Sequence, residues 1–169
     1  IMANALLSLG LGVRYIGALG KPSIHPEFEE FARKTDAISL TQPGITTAME
    51  FKDGKIMLGN MMSLEEIDYH QIIQAAGEGP FLDLLSKCDL VSIVNWTMIP
   101  KMTSILQQLA DQVLPNLPPR DNRSFFFDLT DPAKRSQEDI LEVLQVITRF
   151  QSHAETTLGL NYNETLQVC

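Results

Sequence analysis

Hydrophobic and polar residues along the chain form blocks that predict helices and strands in turn. ANALLSLG has leucines at helical spacing and ends at Gly10, whereas the following VRYIGAL is β-branched and aromatic and predicts a strand. HPEFEEFARK, with Phe28 and Phe31 three residues apart, predicts a second helix, and AISL predicts a second strand. The first part of the chain is therefore predicted to run helix, strand, helix, strand.

The next segment predicts a hairpin and then a helix. GITTAMEF and KIMLG flank Asp53-Gly54, a dipeptide typical of two-residue hairpin turns, and the hairpin spans about residues 45–58. Half of its positions are polar, so we expect a small flap attached to the main sheet. Ser63 and Glu66 have the spacing of a capping box, which predicts a helix from there to about Ala76.

From Leu90 onward, strands and helices alternate. The apolar run from Leu90 to Val94 predicts a strand buried on both faces, as in a parallel sheet, and FFFDL and AETTLGLN predict two more strands. The helical segments between them are MIPKMTSILQQLADQVL and EDILEVLQVITRF, the latter capped by Ser136 and Asp139. Parallel strands need such crossovers. We expect one α/β domain over residues 1–169, a three-layer α/β/α sandwich with a mostly parallel central sheet.

Composition and charge narrow the functional class. The formal net charge of −8 would repel nucleic acid, and no stripe of basic residues interleaved with aromatics is present. The two cysteines, Cys88 and Cys169, lack the spacing of a zinc site or a disulfide framework, which favours the cytoplasm. No apolar run reaches the roughly 18 residues that span a bilayer, so we expect no membrane association.

Polar side chains follow three successive predicted strands, at the carboxyl ends where open α/β sheets bind ligands. These candidates are Asn95 and Trp96 after the first strand, Asp131 and Arg135 after the second, and Asn161, Asn163 and Glu164 after the third. The pattern predicts a ligand cleft at one edge of the sheet.

Each candidate has a functional and a structural interpretation. Asn161 and Glu164 could hold a hydrated Mg²⁺, or Asn161 or Asn163 could cap a helix whose dipole Glu164 complements. Asp131 and Arg135 could bind hydroxyls and phosphate, or could belong to a solvated turn. Trp96 could stack on a ring or seal the edge of the core. These alternatives stay open from the residues alone.

Three segments resemble the ribokinase-like (PfkB-type) carbohydrate kinases. ANALLSLGLGVRYIGALG resembles the family's Asn-bearing helix, with Asn4 in that place, followed by a strand that ends in Gly-x-x-Gly. FFFDLTDPAKRS is similar to the strand and turn that members place against substrate. LNYNE resembles the Asn-x-x-Glu motif, matched by Asn161 and Glu164, whereas a register on Asn163 would put Leu166 in the acidic position.

The resemblance implies ATP-dependent phosphoryl transfer to a hydroxyl of a sugar. Asn4 would contact substrate hydroxyls, the hairpin would form part of a lid, and Asn161 and Glu164 would organise Mg²⁺ around ATP. The substrate-binding set is then Asn4, Asn95, Trp96, Asp131 and Arg135. The alternatives are a nucleoside kinase of the same fold, with Trp96 stacked on the base, and a non-catalytic sugar-binding protein. A homodimer is left open.

One departure from the family pattern affects the activity expected of this chain. The family's Gly-Ala-Gly-Asp signature, which supplies an anion hole and the general-base Asp, is absent from residues 1–169. Loss of a general base costs typically 10²–10⁴ in rate. We therefore interpret the chain as a partial ribokinase-like domain from a longer kinase, with no catalytic residue of its own, and expect residues 1–169 alone to be inactive.

Overall fold

The computed structural model describes residues 2–168, which alternate between helices and strands as predicted. The helices are α1 (Met2–Ser8), α2 (Glu29–Lys34), α3 (Tyr69–Ala76), α4 (Glu78–Lys87), α5 (Met102–Gln108), α6 (Gln137–Phe150) and α7 (Tyr162–Val168). The strands are β1 (Arg14–Gly17), β2 (Asp36–Ser39), β3 (Ile45–Phe51), β4 (Gly54–Asn60), β5 (Leu90–Val94), β6 (Ser124–Asp128) and β7 (Glu155–Gly159).

Apart from one antiparallel hairpin, the described strands pair in parallel. The order β5-β6-β7 forms a three-stranded sheet, and β1 and β2 form a separate parallel pair. Helices α5 and α6 provide the crossovers between the three strands, as parallel connections require. The predicted mixed α/β fold with mostly parallel strands is confirmed, and it is compatible with a partial ribokinase-like fold.

The centre of the core lies between β6 and α6. Phe125 and Phe127 alternate with less buried residues along β6 and point to the same face, where both contact the ring of Phe150 edge-on at 5.0 and 5.1 Å. Phe150 is 0% exposed. Helix α6 packs here through the apolar face of its amphipathic sequence. The predicted capping box of Ser136 and Asp139 begins the helix and is confirmed by the structure. This packing fixes the carboxyl end of β6, where the candidate site begins.

Strand β5 was predicted to be buried on both faces, and this is wrong. It is an edge strand in the described sheet, none of its residues is fully buried, and Leu90 is 43% exposed. The face that carries Val91 and Ile93 packs against the core, whereas Leu90 lies on the more open face. An apolar run shows that a strand can be buried, but its place in the strand order decides whether it is.

The predicted hairpin is present, extends from Ile45 to Asn60, and stands clear of the core. Every residue of β3 and β4 is exposed, so packing against the domain does not hold this element in place. Its pairing puts five large apolar side chains on one face, while the Glu50–Lys55 pair lies on the other. The apolar face is formed by Ile45, Met49, Phe51, Ile56 and Leu58.

The helix after the hairpin begins later than predicted. Residues Met62–Glu66 form a 3₁₀ turn, and α3 begins only at Tyr69. Its N-cap is Asp68, whose carboxylate accepts a hydrogen bond from the backbone N–H of Gln71 at 2.9 Å. The predicted Ser63–Glu66 capping box was wrong, because both residues lie within the 3₁₀ turn and Asp68 caps the helix.

No helix within residues 2–168 is long and apolar enough to cross a lipid bilayer.

Candidate functional site at the carboxyl edge of the parallel sheet

The carboxyl ends of β5, β6 and β7 meet at one edge, as predicted. Val94, Asp128 and Gly159 lie side by side in the register of the sheet. The segments that follow the first two strands are also hydrogen-bonded, because the Asn95 N–H donates to the Asp128 carbonyl at 3.1 Å. Asn95 has a φ of 69° in the left-handed region, which asparagine tolerates better than most residues. The loop after β5 therefore turns sharply across the end of β6.

The segment from Asp128 to Arg135, here called the 128–135 turn, has an unusual backbone. Thr130 and Asp131 both have positive φ, at 59° and 57°. Asp128 stabilises the start of the turn, since its Oδ1 accepts from the backbone N–H of Thr130 at 2.9 Å. The Asp131 carboxylate is 51% exposed and lies 3.1 Å from the Lys134 ammonium. Two consecutive left-handed non-glycine residues persist only where the surroundings hold them, and such positions cluster at functional sites.

Asn161 and Glu164 form a reciprocal capping box at the start of α7. The Asn161 Oδ1 accepts from the Glu164 N–H at 3.0 Å, and the Glu164 Oε2 accepts from the Asn161 N–H at 2.9 Å. Glu164 is only 9% exposed. Its second oxygen, Oε1, accepts from the Asp131 N–H at 3.2 Å. The carboxylate therefore joins the start of α7 to the 128–135 turn.

This arrangement bears on the predicted Mg²⁺ site. Both Glu164 oxygens and the Asn161 carbonyl oxygen accept main-chain N–H groups. In addition, no three His, Cys, Asp or Glu side chains between residues 2 and 168 are grouped so as to hold a metal ion. Each of these oxygens accepts one main-chain N–H group and keeps a second lone pair. The role of Asn161 and Glu164 in holding a hydrated Mg²⁺ therefore stays a prediction.

Trp96 and Arg135 pack against one another. Trp96 is 1% exposed, and its indole N–H donates to Thr103 Oγ1 at 2.9 Å. The Arg135 guanidinium lies over the indole ring, 4.7 Å from its centroid, and donates from Nη2 to the Pro100 carbonyl at 3.3 Å. The indole is thus a core side chain covered by an arginine, which leaves no open ring face for a sugar or base to stack on.

Arg135 is held from a third side as well. Its Nε lies 3.4 Å from Asp139 Oδ2, close enough for an ion pair although the angle does not make a hydrogen bond. The side chain is 17% exposed. In the structure, this guanidinium joins the start of α6 to the loop that follows β5.

Asn4 lies apart from these residues. It is exposed on α1, and its surface cavity is lined by Leu7, Ser8 and Lys34. Its side chain is therefore in contact with solvent. None of the contacts described for Asp131 or Glu164 includes Asn4. The structure brings together the residues after β5, β6 and β7 but does not bring Asn4 to them.

A second group of polar residues lies close to the start of α5. The Asp68 carboxylate, at the start of α3, pairs with the Lys101 ammonium at 3.3 Å. Its hydrogen bond from the Gln71 backbone N–H, together with this lysine, lowers the pKa of Asp68 below its ordinary value. Lys101 directly follows Pro100, the partner of Arg135, so charged groups continue along this side of the molecule.

Sequence reasoning missed two residues that shape the 128–135 turn. Asp128 forms the hydrogen bond that starts the turn, and its position at the end of FFFD could have signalled this. Gln167 accepts from the Ala133 N–H at 3.0 Å through its side-chain Oε1. Its position three residues after Glu164 puts both side chains on one face of α7, but nothing local in the sequence identifies their partner.

Comparison with known proteins gives one family match and one curated relative. A model of the family described as prokaryotic ketohexokinase matches residues 1–169. A curated ketohexokinase from Haloferax volcanii is 26% identical over 166 residues, which cover 97% of this chain and 43% of the relative. The chain thus spans less than half the length of that relative. No solved structure matches the chain.

Proposed function

Because the chain belongs to the prokaryotic ketohexokinase family, we propose that the complete protein transfers a phosphoryl group from ATP to a hydroxyl of a ketohexose. Family membership gives the class, a sugar kinase. The single structural observation that supports the proposal is the contact between the 128–135 turn and Glu164 at the carboxyl edge of the parallel sheet. A ligand cleft is expected at this edge in α/β proteins of this kind.

Asp131 is the residue that we propose for sugar binding. Its carboxylate is exposed, it follows a central strand, and its only ion-pair partner among residues 2–168 is the neighbouring Lys134. A carboxylate accepts two or more hydroxyl hydrogen bonds without rearrangement. Its backbone N–H is hydrogen-bonded to Glu164, and such preorganisation lowers the entropic cost of binding.

Four other predicted residues have different roles in the proposal. Asn95 lies beside the 128–135 turn, and we keep it as a candidate contact for the sugar. Asn4 requires a substrate that extends towards α1, so we propose it only as a peripheral contact. Trp96 and Arg135 are engaged with each other, and we propose that they support the loop after β5 without touching substrate.

The hairpin Ile45–Asn60 is proposed as a lid. It is exposed along its whole length, and one of its faces is apolar. A flap of this kind can exclude water that would compete for the phosphoryl group. Its closure over the sugar would cover the apolar face, which is otherwise in contact with solvent.

ATP is the proposed phosphoryl donor, with Mg²⁺ as the usual counter-ion of its phosphates. Phosphoryl transfer depends mainly on positioning and charge neutralisation. Since Asn161 and Glu164 use their oxygens on main-chain N–H groups, we assign them no direct bond to the ion. Their contribution to the reaction is to hold the segments that surround the sugar.

The nucleoside kinase alternative depended on Trp96 stacking on a base. The indole is buried under Arg135, so no observation now favours that alternative. The sugar kinase is the function that the site supports best.

The test is a substrate panel with the purified complete protein, ATP and Mg²⁺. Formation of sugar phosphate and ADP would be followed with ketohexoses, aldohexoses, pentoses and nucleosides in parallel reactions. We expect phosphate transfer to a ketohexose with the highest kcat/KM of the panel. Phosphorylation of a nucleoside alone would refute the proposal, and sugar binding without any ADP formation would identify a binding protein.

A further inference from the structure

Two side chains of α7 hold the 128–135 turn through its backbone. Glu164 Oε1 accepts from the Asp131 N–H at 3.2 Å, and Gln167 Oε1 accepts from the Ala133 N–H at 3.0 Å. Glu164 and Gln167 are three residues apart and therefore lie on the same face of the helix. Their partners are two residues apart in the turn, on either side of Pro132, which is buried. The helix and the turn thus meet at two points.

These contacts act on the strained part of the turn. Asp131 has a φ of 57°, a left-handed conformation that a non-glycine residue keeps only where its surroundings hold it. Asp128 holds Thr130 from inside the turn, whereas α7 holds Asp131 and Ala133 from outside. Without α7, the turn would be held by its own contacts, such as the Asp128–Thr130 hydrogen bond and the hydrogen bond from the Lys134 N–H to the Asp131 carbonyl.

We infer that Glu164 and Gln167 are positioning residues, which hold the 128–135 turn so that the Asp131 carboxylate faces the sugar. This inference rests on the proposed function. It differs from the metal-ligand interpretation of Glu164 in a way that can be tested. A metal ligand acts through its charge, and a neutral residue such as Gln167 should then be irrelevant. A positioning pair predicts the same kind of defect from both residues.

The variants are Glu164→Gln and Gln167→Ala, made in the complete protein. Glutamine at 164 can accept only one of the two N–H groups that the carboxylate now satisfies. Thr165→Val is the matched control, because the Thr165 hydroxyl donates to the carbonyl of Asn161, the residue before α7, and so bonds outside the turn. All three changes lie in the same helix, so a general weakening of α7 would affect the control as well.

Two readouts are measured for each variant. The first is hydrogen exchange of the Asp131 and Ala133 amides, which reports the contacts directly. The second is the kinetic set of sugar KM, ATP KM, kcat and the Mg²⁺ concentration for half-maximal rate. For Gln167→Ala we expect faster exchange at Ala133 and a sugar KM raised about three- to tenfold, with the ATP KM and Mg²⁺ requirement unchanged. Glu164→Gln should change the same quantities, with exchange faster at Asp131.

The outcomes separate the interpretations. A raised Mg²⁺ requirement in Glu164→Gln with an unaffected sugar KM, and a silent Gln167→Ala, would overturn the inference in favour of a metal ligand. Faster exchange in both variants without any kinetic change would overturn it in favour of a merely structural role. If the unmodified protein phosphorylates no sugar, the proposed function fails, whereas faster exchange at these amides would still support the two α7 contacts.

Discussion

Replacement of Arg135 should lower stability more than it alters substrate binding. The guanidinium makes a hydrogen bond to the Pro100 carbonyl, lies over the Trp96 ring and approaches Asp139. A charged hydrogen bond contributes about 1.5–3 kcal/mol, a cation–π contact about 0.5–2 kcal/mol, and a part-exposed ion pair about 0–1 kcal/mol. Because these contributions overlap, we expect Arg135→Met to lower the free energy of unfolding by about 2–4 kcal/mol.

Two further variants make this prediction specific. Arg135→Lys keeps the charge but loses the planar fork, so it should lose about half of that stabilisation. Lys134→Met is the matched control, since Lys134 is a neighbouring cation whose only ion pair among residues 2–168 is with the exposed Asp131, and such pairs contribute about 0–1 kcal/mol.

The assay is urea unfolding of the complete protein, followed by the fluorescence of Trp96 and by circular dichroism. Unchanged unfolding of Arg135→Met together with a large rise in the ATP or sugar KM would refute the reasoning. That result would return Arg135 to the phosphate-binding role that the sequence suggested.

Two further predictions concern Asp131 and Asp68. Asp131→Asn should raise the sugar KM about tenfold or more, because a charged acceptor is lost. It should change the free energy of unfolding by no more than about 0.5 kcal/mol, because the side chain is exposed. An unchanged sugar KM would show that Asp131 does not bind the sugar. Asp68→Ala should lower stability at pH 7 by about 1 kcal/mol through loss of the α3 cap, whereas Asp68→Asn should not. Since the Gln71 N–H lowers the folded-state pKa of Asp68, the stabilisation is present above the unfolded value of about 3.9 and disappears as pH falls through the folded value. The difference in unfolding free energy between Asp68→Ala and the unmodified protein, measured by urea unfolding in a pH series from 7 downwards, should therefore shrink as Asp68 is protonated, because the charge-dependent part of the cap is lost. A difference that does not change with pH would contradict this.

Local patterns predicted most of the secondary structure. The DG turn of the hairpin, the Ser136–Asp139 capping box and the buried alternation of FFFD depend on residues close in sequence, and the structure contains all three. The errors fell where several local signals competed or where the global arrangement decides. The start of α3 depended on which of two caps prevailed, and the burial of β5 on its position at the edge of the sheet.

For the candidate site, the sequence predicted which strand ends share an edge but not which side chains contact one another. The carboxyl-edge rule placed the residues after β5, β6 and β7 together, and the spacing of Asn161 and Glu164 was compatible with the capping box that the structure contains. The covering of Trp96 by Arg135 and the contacts of α7 with the turn join residues more than thirty positions apart. No periodicity or local motif encodes such partners, so they could be found only from the folded chain.

The distance in sequence between Asp131 and Glu164 has a consequence for synthesis of the protein. The two residues are 33 positions apart, and the later one fixes the shape of the earlier one. At typical ribosomal speeds of about 5–20 residues per second, the turn waits about 2–7 s for its partner to be made. During nascent-chain growth, strand β6 can be complete while the 128–135 turn still samples other conformations. The 128–135 turn can thus reach its folded conformation only after α7 has been synthesised.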